Sequence, residues 1–190
     1  MTTSGRDGVG IATPKAPTLR AVDHVAYTVP DLNQAVQFFV DHFGAELIFV
    51  DGPFVDESGD GMRRRLGVHP RARCTIAMIR IGKYHNVELF EYVAPDQRVE
   101  LPRNSDIGGH HLAFYADDID AAYDYVRAIP GVVVQEGPNE VDSAAPVAGQ
   151  RWFYFQTPWG MQLELTTCAT GDFYDGLAGA AMAPPSETWR

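Results

Sequence analysis

Cysteine is scarce in this sequence: Cys74 and Cys168 are the only two among 190 residues. That excludes a disulfide framework and a thiolate metal cluster. Long apolar runs are also missing. No stretch reaches about 18 apolar residues, so no membrane span is expected. The opening "MTTSGRDGVGIATPKAPTLR" lacks the apolar core of a secretory signal, and a reducing cytoplasm is the expected compartment. Positive charge is in short supply, with 15 Lys and Arg against 25 Asp and Glu and a formal net charge of -10. A general nucleic-acid binder needs a basic footprint that this chain does not carry. The expected partner is therefore a small-molecule substrate, not a nucleic acid or a membrane.

What remains is an ordinary globular composition, 45% hydrophobic. The length suits one sizeable domain or two small modules sharing a core. The second possibility is favoured by an internal duplication. "DHVAYTVPDLNQAVQFFVDHFGAEL" (23–47) aligns without gaps on "HHLAFYADDIDAAYDYVRAIPGVVV" (110–134). His24 falls on His111, Asp31 on Asp118 and Gly44 on Gly131, each 87 residues on. Each copy starts with an alternating strand, "HVAYTV" or "HLAFYA". Asp31 or Asp118 then stands at a helix N-cap, and apolar residues recur at helical spacing. Gly44 and Gly131 suit the position after the helix, and a second strand follows. Two further hairpins, "TIAMIRIGKYHNVELFEYV" (75–93) and "RWFYFQTPWGMQLELTT" (151–167), align Glu88 with Glu164.

Each copy thus reads as a βαβββ module. Residues 1–18 read as an N-terminal tail and 19–93 as the first module, with a loop insertion near 51–73. Residues 94–107 are the linker, 108–168 the second module, and 169–190 an Ala-, Gly- and Pro-rich C-terminal tail with room for a short helix.

Strand periodicity then sorts the side chains, because neighbours along a strand point to opposite faces. His24, Ala26 and Thr28 share an open face, while Val25, Tyr27 and Val29 go under the helix. In the second copy His111, Ala113 and Tyr115 take the open face, and His110 has the helix-side parity. Glu88 shares a face with Asn86 and Phe90, and Glu164 with Gln162 and Thr166. A lone strand histidine or glutamate is more often structural. An unpaired buried carboxylate is costly, however, and two of them at repeat-equivalent positions call for one explanation. Two histidines and two carboxylates around a divalent ion supply it. His42, His69, His85 and His110 have no such partners and read as surface or structural.

"DHVAYTVPDL", "HLAFYADDID" and "PWGMQLELT" resemble the first, fifth and final strands of the vicinal oxygen chelate superfamily. That superfamily takes in glyoxalase I, methylmalonyl-CoA epimerase, extradiol dioxygenases and bleomycin- and fosfomycin-resistance proteins. The resemblance covers roughly residues 20 to 168. It implies an α+β fold in which two repeated βαβββ modules form a curled, half-open mixed β-sheet barrel with the helices outside. It also implies a homodimer, in some members with sites at the interface. Carried over, the ligands are His24, Glu88, His111 and Glu164 for one divalent ion: Zn, Ni, Co, Mn or Fe. The resemblance to glyoxalase I implies Glu164 as catalytic base and Glu88 as a second acid/base. The expected activity is a metal-dependent lyase or isomerase working by proton transfer through an enediolate-type intermediate. The alternatives are an Fe(II) dioxygenase and a non-catalytic binder of an aromatic ligand. Tyr115, Phe90, Trp152 and Tyr154 are expected to line the substrate cleft. The basic island "MRRRLGVHPRAR" (62–73) is either a solvated loop or an anion clamp, with Arg65 as its candidate substrate contact.

Overall fold

The computed structural model describes residues 20–168 apart from 144 and 146, and both expected tails lie outside the described residues. Helix α1 (Leu32–Phe43) follows strand β1 (His24–Thr28). Asp31 caps it from an extended conformation, accepting from the Gln34 N–H at 2.9 Å. A second carboxylate, Glu91, accepts from the Leu32 N–H at 2.7 Å, so two of the otherwise orphaned N-terminal donors are satisfied. Gly44 closes the helix in the left-handed region at φ 63°, as its position predicts. Asp118 caps α3 (Ile119–Val126) in the same way, accepting from the Asp120 and Ala121 N–H groups. Gly131 departs from its expected role. Helix α3 ends at Val126, ahead of Pro130, which cannot continue a helix, and Gly131 (φ 79°) instead turns the chain toward the next strand.

The first sheet has the order β1, β4 (His85–Val93), β3 (Arg73–Ile81), β2 (Glu46–Phe54), with β1 and β4 parallel. The second has the order β5 (Leu112–Tyr115), β9 (Gln162–Cys168), β8 (Gln150–Gln156), β6 (Val133–Val134), with β5 and β9 parallel. A short strand β7 (Asn139–Glu140) also pairs with β8. Each sheet thus runs first, last, third, second strand. The register repeats as well: Ala26 pairs with Glu88, and Ala113 with Glu164. The fold is the expected mixed α+β arrangement, and neither sheet closes on itself.

The insertion is more ordered than a loop. Its first residues prolong β2, and Gly61–Leu66 form a short helix, α2. Met62 and Ala72 pack with Cys74, Ile76, Phe90 and Tyr92 in a small separate apolar cluster. Those four strand residues pair Cys74 with Tyr92 and Ile76 with Phe90, on the same face as Glu88. The insertion therefore covers one end of that face.

The main core is shared by both modules. Ala77, Ile79, Val87 and Leu89 contribute from the first sheet, and Phe153, Phe155, Leu163 and Leu165 from the second. Helix α1 lies against β3 and β4. Its Phe38 meets Trp159 edge-on at 5.3 Å, and its Phe43 meets Phe114 at 4.7 Å. Both sheets thus turn their apolar faces toward one core, and their other faces point away from it.

Candidate active site

The period-two alternation of the strands brings the expected residues together in two pairs. His24 Nε2 lies 3.4 Å from Glu88 Oε2, and His111 Nε2 lies 3.0 Å from Glu164 Oε2. His24 opens β1, and His111 stands immediately before β5. Each glutamate sits mid-strand beside a small alanine on the parallel neighbour, which leaves room above it.

Asp23, a residue without a place in the expected ligand set, holds the His24 ring through its Oδ1, 2.7 Å from Nδ1. This hydrogen bond is the main cause that raises the His24 pKa above its ordinary value. It fixes Nδ1 as the protonated nitrogen and turns Nε2 toward Glu88. The signal was available: Asp23 is the repeat counterpart of His110, one position before each proposed ligand. Burial raises the Glu164 pKa, and His111 and the Tyr154 hydroxyl partly offset this.

The donor chemistry and spacing fit a divalent ion at the level of each pair. Two ligands at right angles, each about 2.1 Å from an ion, stand about 3.0 Å apart. Asp23 holds the far nitrogen of His24, and a carboxylate in that position is the usual support of a ligating imidazole. The two pairs do not meet within one chain. Among the described residues, no three His, Cys, Asp or Glu side chains converge to hold an ion. The physical reason is the shared core: each pair lies on the face of its sheet that turns away from it.

The expected substrate contacts are divided. Trp152, Tyr154 and His111 form a continuous aromatic run, with ring centroids 5.1 Å and 5.0 Å apart. Tyr115 pairs with Thr166 on that same face. Phe90 stacks on Tyr92 at 5.3 Å under the insertion. Arg65 sits exposed on α2 with its Nε directed at the Gly61 carbonyl oxygen of its own helix. Arg63 and Arg64 pair with Asp60, and Arg71 donates to the carbonyl groups of Asp56 and Gly59. Much of the basic island thus serves its own segment. His110 stacks on Tyr27 at 5.0 Å and is bonded to the Gly108 carbonyl, a structural role. A broad groove of about 1450 Å³ between the modules is lined by His24, Phe43, Asn86, Tyr115 and Thr166, but by neither glutamate.

Comparison with known proteins gives consistent relatives. Residues 23–148 match the family model described as Glyoxalase/Bleomycin resistance protein/Dioxygenase superfamily. A curated protein of Actinomyces sp, 2-epi-5-epi-valiolone epimerase, is 51% identical over 173 residues, covering 91% of this chain and 93% of its own. A glyoxalase family protein from Bacillus cereus has the same fold, with a TM-score of 0.63 at 20% identity, covering 82% of this chain and 98% of its own. A fosfomycin resistance protein from Listeria monocytogenes superposes with a TM-score of 0.50 at 17% identity, covering 78% and 93%.

Proposed function

Because the chain belongs to the glyoxalase/bleomycin resistance protein/dioxygenase superfamily, we propose that it is a divalent-metal-dependent isomerase that inverts a carbon next to a carbonyl in a small polyhydroxylated ketone. The observation that carries this reading is the repeat-equivalent pairing of His24 with Glu88 and of His111 with Glu164, at the spacing of neighbouring ligands on one ion. The Actinomyces relative supports an epimerase over a glyoxalase-type lyase or a dioxygenase. Its name denotes a ketone, and epimerising a carbon beside a carbonyl requires only that a proton leave and return.

When bound, the ion would supply a Lewis acid for the negative charge that develops at the carbonyl oxygen. His24, Glu88, His111 and Glu164 would hold it. Glu88 and Glu164 would be the carboxylates that take the proton and give it back. Trp152, Tyr154, Tyr115 and Phe90 would flank the substrate ring.

The active form in this reading is a homodimer. A complete ligand set joins the His24–Glu88 pair of one chain to the His111–Glu164 pair of a second. The edge strand supports this: Leu47, Ile48, Phe49 and Val50 are 43–52% exposed, an apolar surface that a second copy would bury.

The test uses purified protein and 2-epi-5-epi-valiolone as probe. The protein is expected to hold about one divalent ion per chain. It is also expected to wash solvent deuterium into the probe beside its carbonyl, and to lose both properties on chelation. Full activity in a chelator with no metal present would overturn the reading.

A further inference from the structure

The duplication makes each residue of one half a control for its counterpart in the other. On the open face of the second sheet, Gln162 and Gln156 pair across β9 and β8, in the row beside the Glu164–Tyr154 pair. Two residues along a strand separate the rows by about 7 Å. Gln156 Nε2 donates to Gln162 Oε1 at 3.4 Å, and Gln162 Nε2 donates to Gln135 Oε1 at 3.4 Å. All three side chains are half-buried. In the first half, Asn86 and Arg80 hold the positions of Gln162 and Gln156 and pair in the same way. Those two are engaged in their own scaffold. Asn86 donates to the Asp23 carbonyl at 3.1 Å, and Arg80 pairs with Glu46 and donates to the Gly82 carbonyl. On the far side of Glu164, Thr166 accepts from Gln150 Nε2 at 2.7 Å and donates to the Arg151 carbonyl. The glutamine row differs from both. Its two contacts are longer than the roughly 2.7–3.2 Å usual for N–H···O. Each carboxamide has two N–H donors and a carbonyl acceptor to satisfy. Among the described residues these side chains make no other hydrogen bond.

We propose that Gln135, Gln156 and Gln162 form the subsite that binds the ring hydroxyls of a neutral polyhydroxylated ketone, with Gln156 and Gln162 as specificity-determining residues. The inference rests on the isomerase reading above and names what the protein recognises in its substrate. A carboxamide both donates and accepts hydrogen bonds, and so does a hydroxyl. Contacts as long as 3.4 Å are given up at little cost when a hydroxyl offers shorter ones. The row borders Tyr154, whose ring continues the aromatic run of Trp152 and His111. A substrate ring lying on that run would turn one edge, with its hydroxyls, toward the glutamines. Uncharged amides suit an uncharged polyol, whereas a carboxylated or phosphorylated substrate calls for cations.

The test compares deuterium exchange into two ketones, 2-epi-5-epi-valiolone and 2-hydroxycyclohexanone, a ring ketone with a single hydroxyl. Wild type is expected to prefer the polyhydroxylated ketone in kcat/KM. The variants are Gln156→Met and Gln162→Met, which keep the side-chain length and remove the amide, with circular dichroism and thermal melts as the check on folding. Each is expected to lose roughly 3- to 10-fold of the preference, through a higher KM for the polyhydroxylated ketone at similar kcat. A wild type that exchanges both ketones with equal kcat/KM would overturn the proposal without any variant. So would folded variants that both keep the wild-type preference, or a fall in kcat at unchanged KM, which would put the amides at the reacting atoms. A wild type that exchanges neither ketone would overturn this inference and the isomerase reading together; the other results leave that reading standing.

Discussion

If each site takes one pair from each of two chains, then two variants that are each inactive should repair one another. Consider His24→Ala and His111→Ala. A dimer of either variant alone has the same defect in both sites. A mixed dimer has one site with both substitutions and one with neither, because the pairs belong to different modules of the chain. Random re-association of equal amounts gives about half mixed dimers, each with one of two sites intact, so about one quarter of wild-type activity returns. Selecting mixed dimers with two affinity tags should double that to about half, with about one tightly held ion per dimer. The assay is deuterium incorporation into the probe ketone, with elemental analysis of the same sample. Tag-verified mixed dimers as inactive as the single variants would refute the shared site. So would a fully active monomer.

The remaining predictions separate the site from its scaffold. His111→Ala should abolish metal binding, whereas His110→Ala should retain it and lose about 1 kcal/mol from the stacking on Tyr27, read from chelator-dye titration and thermal melts. In metal-free protein, burial raises the Glu164 pKa, so the folded state binds a proton more tightly than the unfolded state does. That stabilisation is present below the ordinary carboxylate range and is lost as pH rises through the folded value. Glu164→Gln should therefore be more stable than wild type at neutral pH, with the gap closing toward acid in urea melts; a gap that widens toward acid would contradict the assignment. Phe39→Ala should cost about 3–5 kcal/mol by denaturant unfolding, because Phe39 is fully buried between the modules beside Phe114 and Trp159.

Much of the site was legible locally. An N-cap needs only a short carboxylate at the right place, so Asp31 and Asp118 marked both helix starts. Side-chain direction in a strand has period two, so His24 and His111 could be set on the open face and His110 apart from it. Gly131 does not close α3 as its repeat position predicts, because that helix already ends at Val126, ahead of Pro130. The helix in the insertion is not legible in the sequence, because six residues packed on a sheet face leave too short a pattern to recognise.

The sequence by itself determined the duplication, the strand faces and which histidines and glutamates are repeat-equivalent, since each follows from spacing along one strand or from the repeat. Tertiary structure alone decided that His24 stands with Glu88 and His111 with Glu164, as two separate pairs. Phe38, Phe39 and Phe43 let one helix serve both sheets, so the two sheets share a core and turn their His–Glu faces outward. It also decided that Tyr154 faces Glu164 while Met78 faces Glu88, because hairpin register is set by the turn and by burial across the sheet. Two carboxylates that are equivalent in the sequence repeat thereby acquire different surroundings.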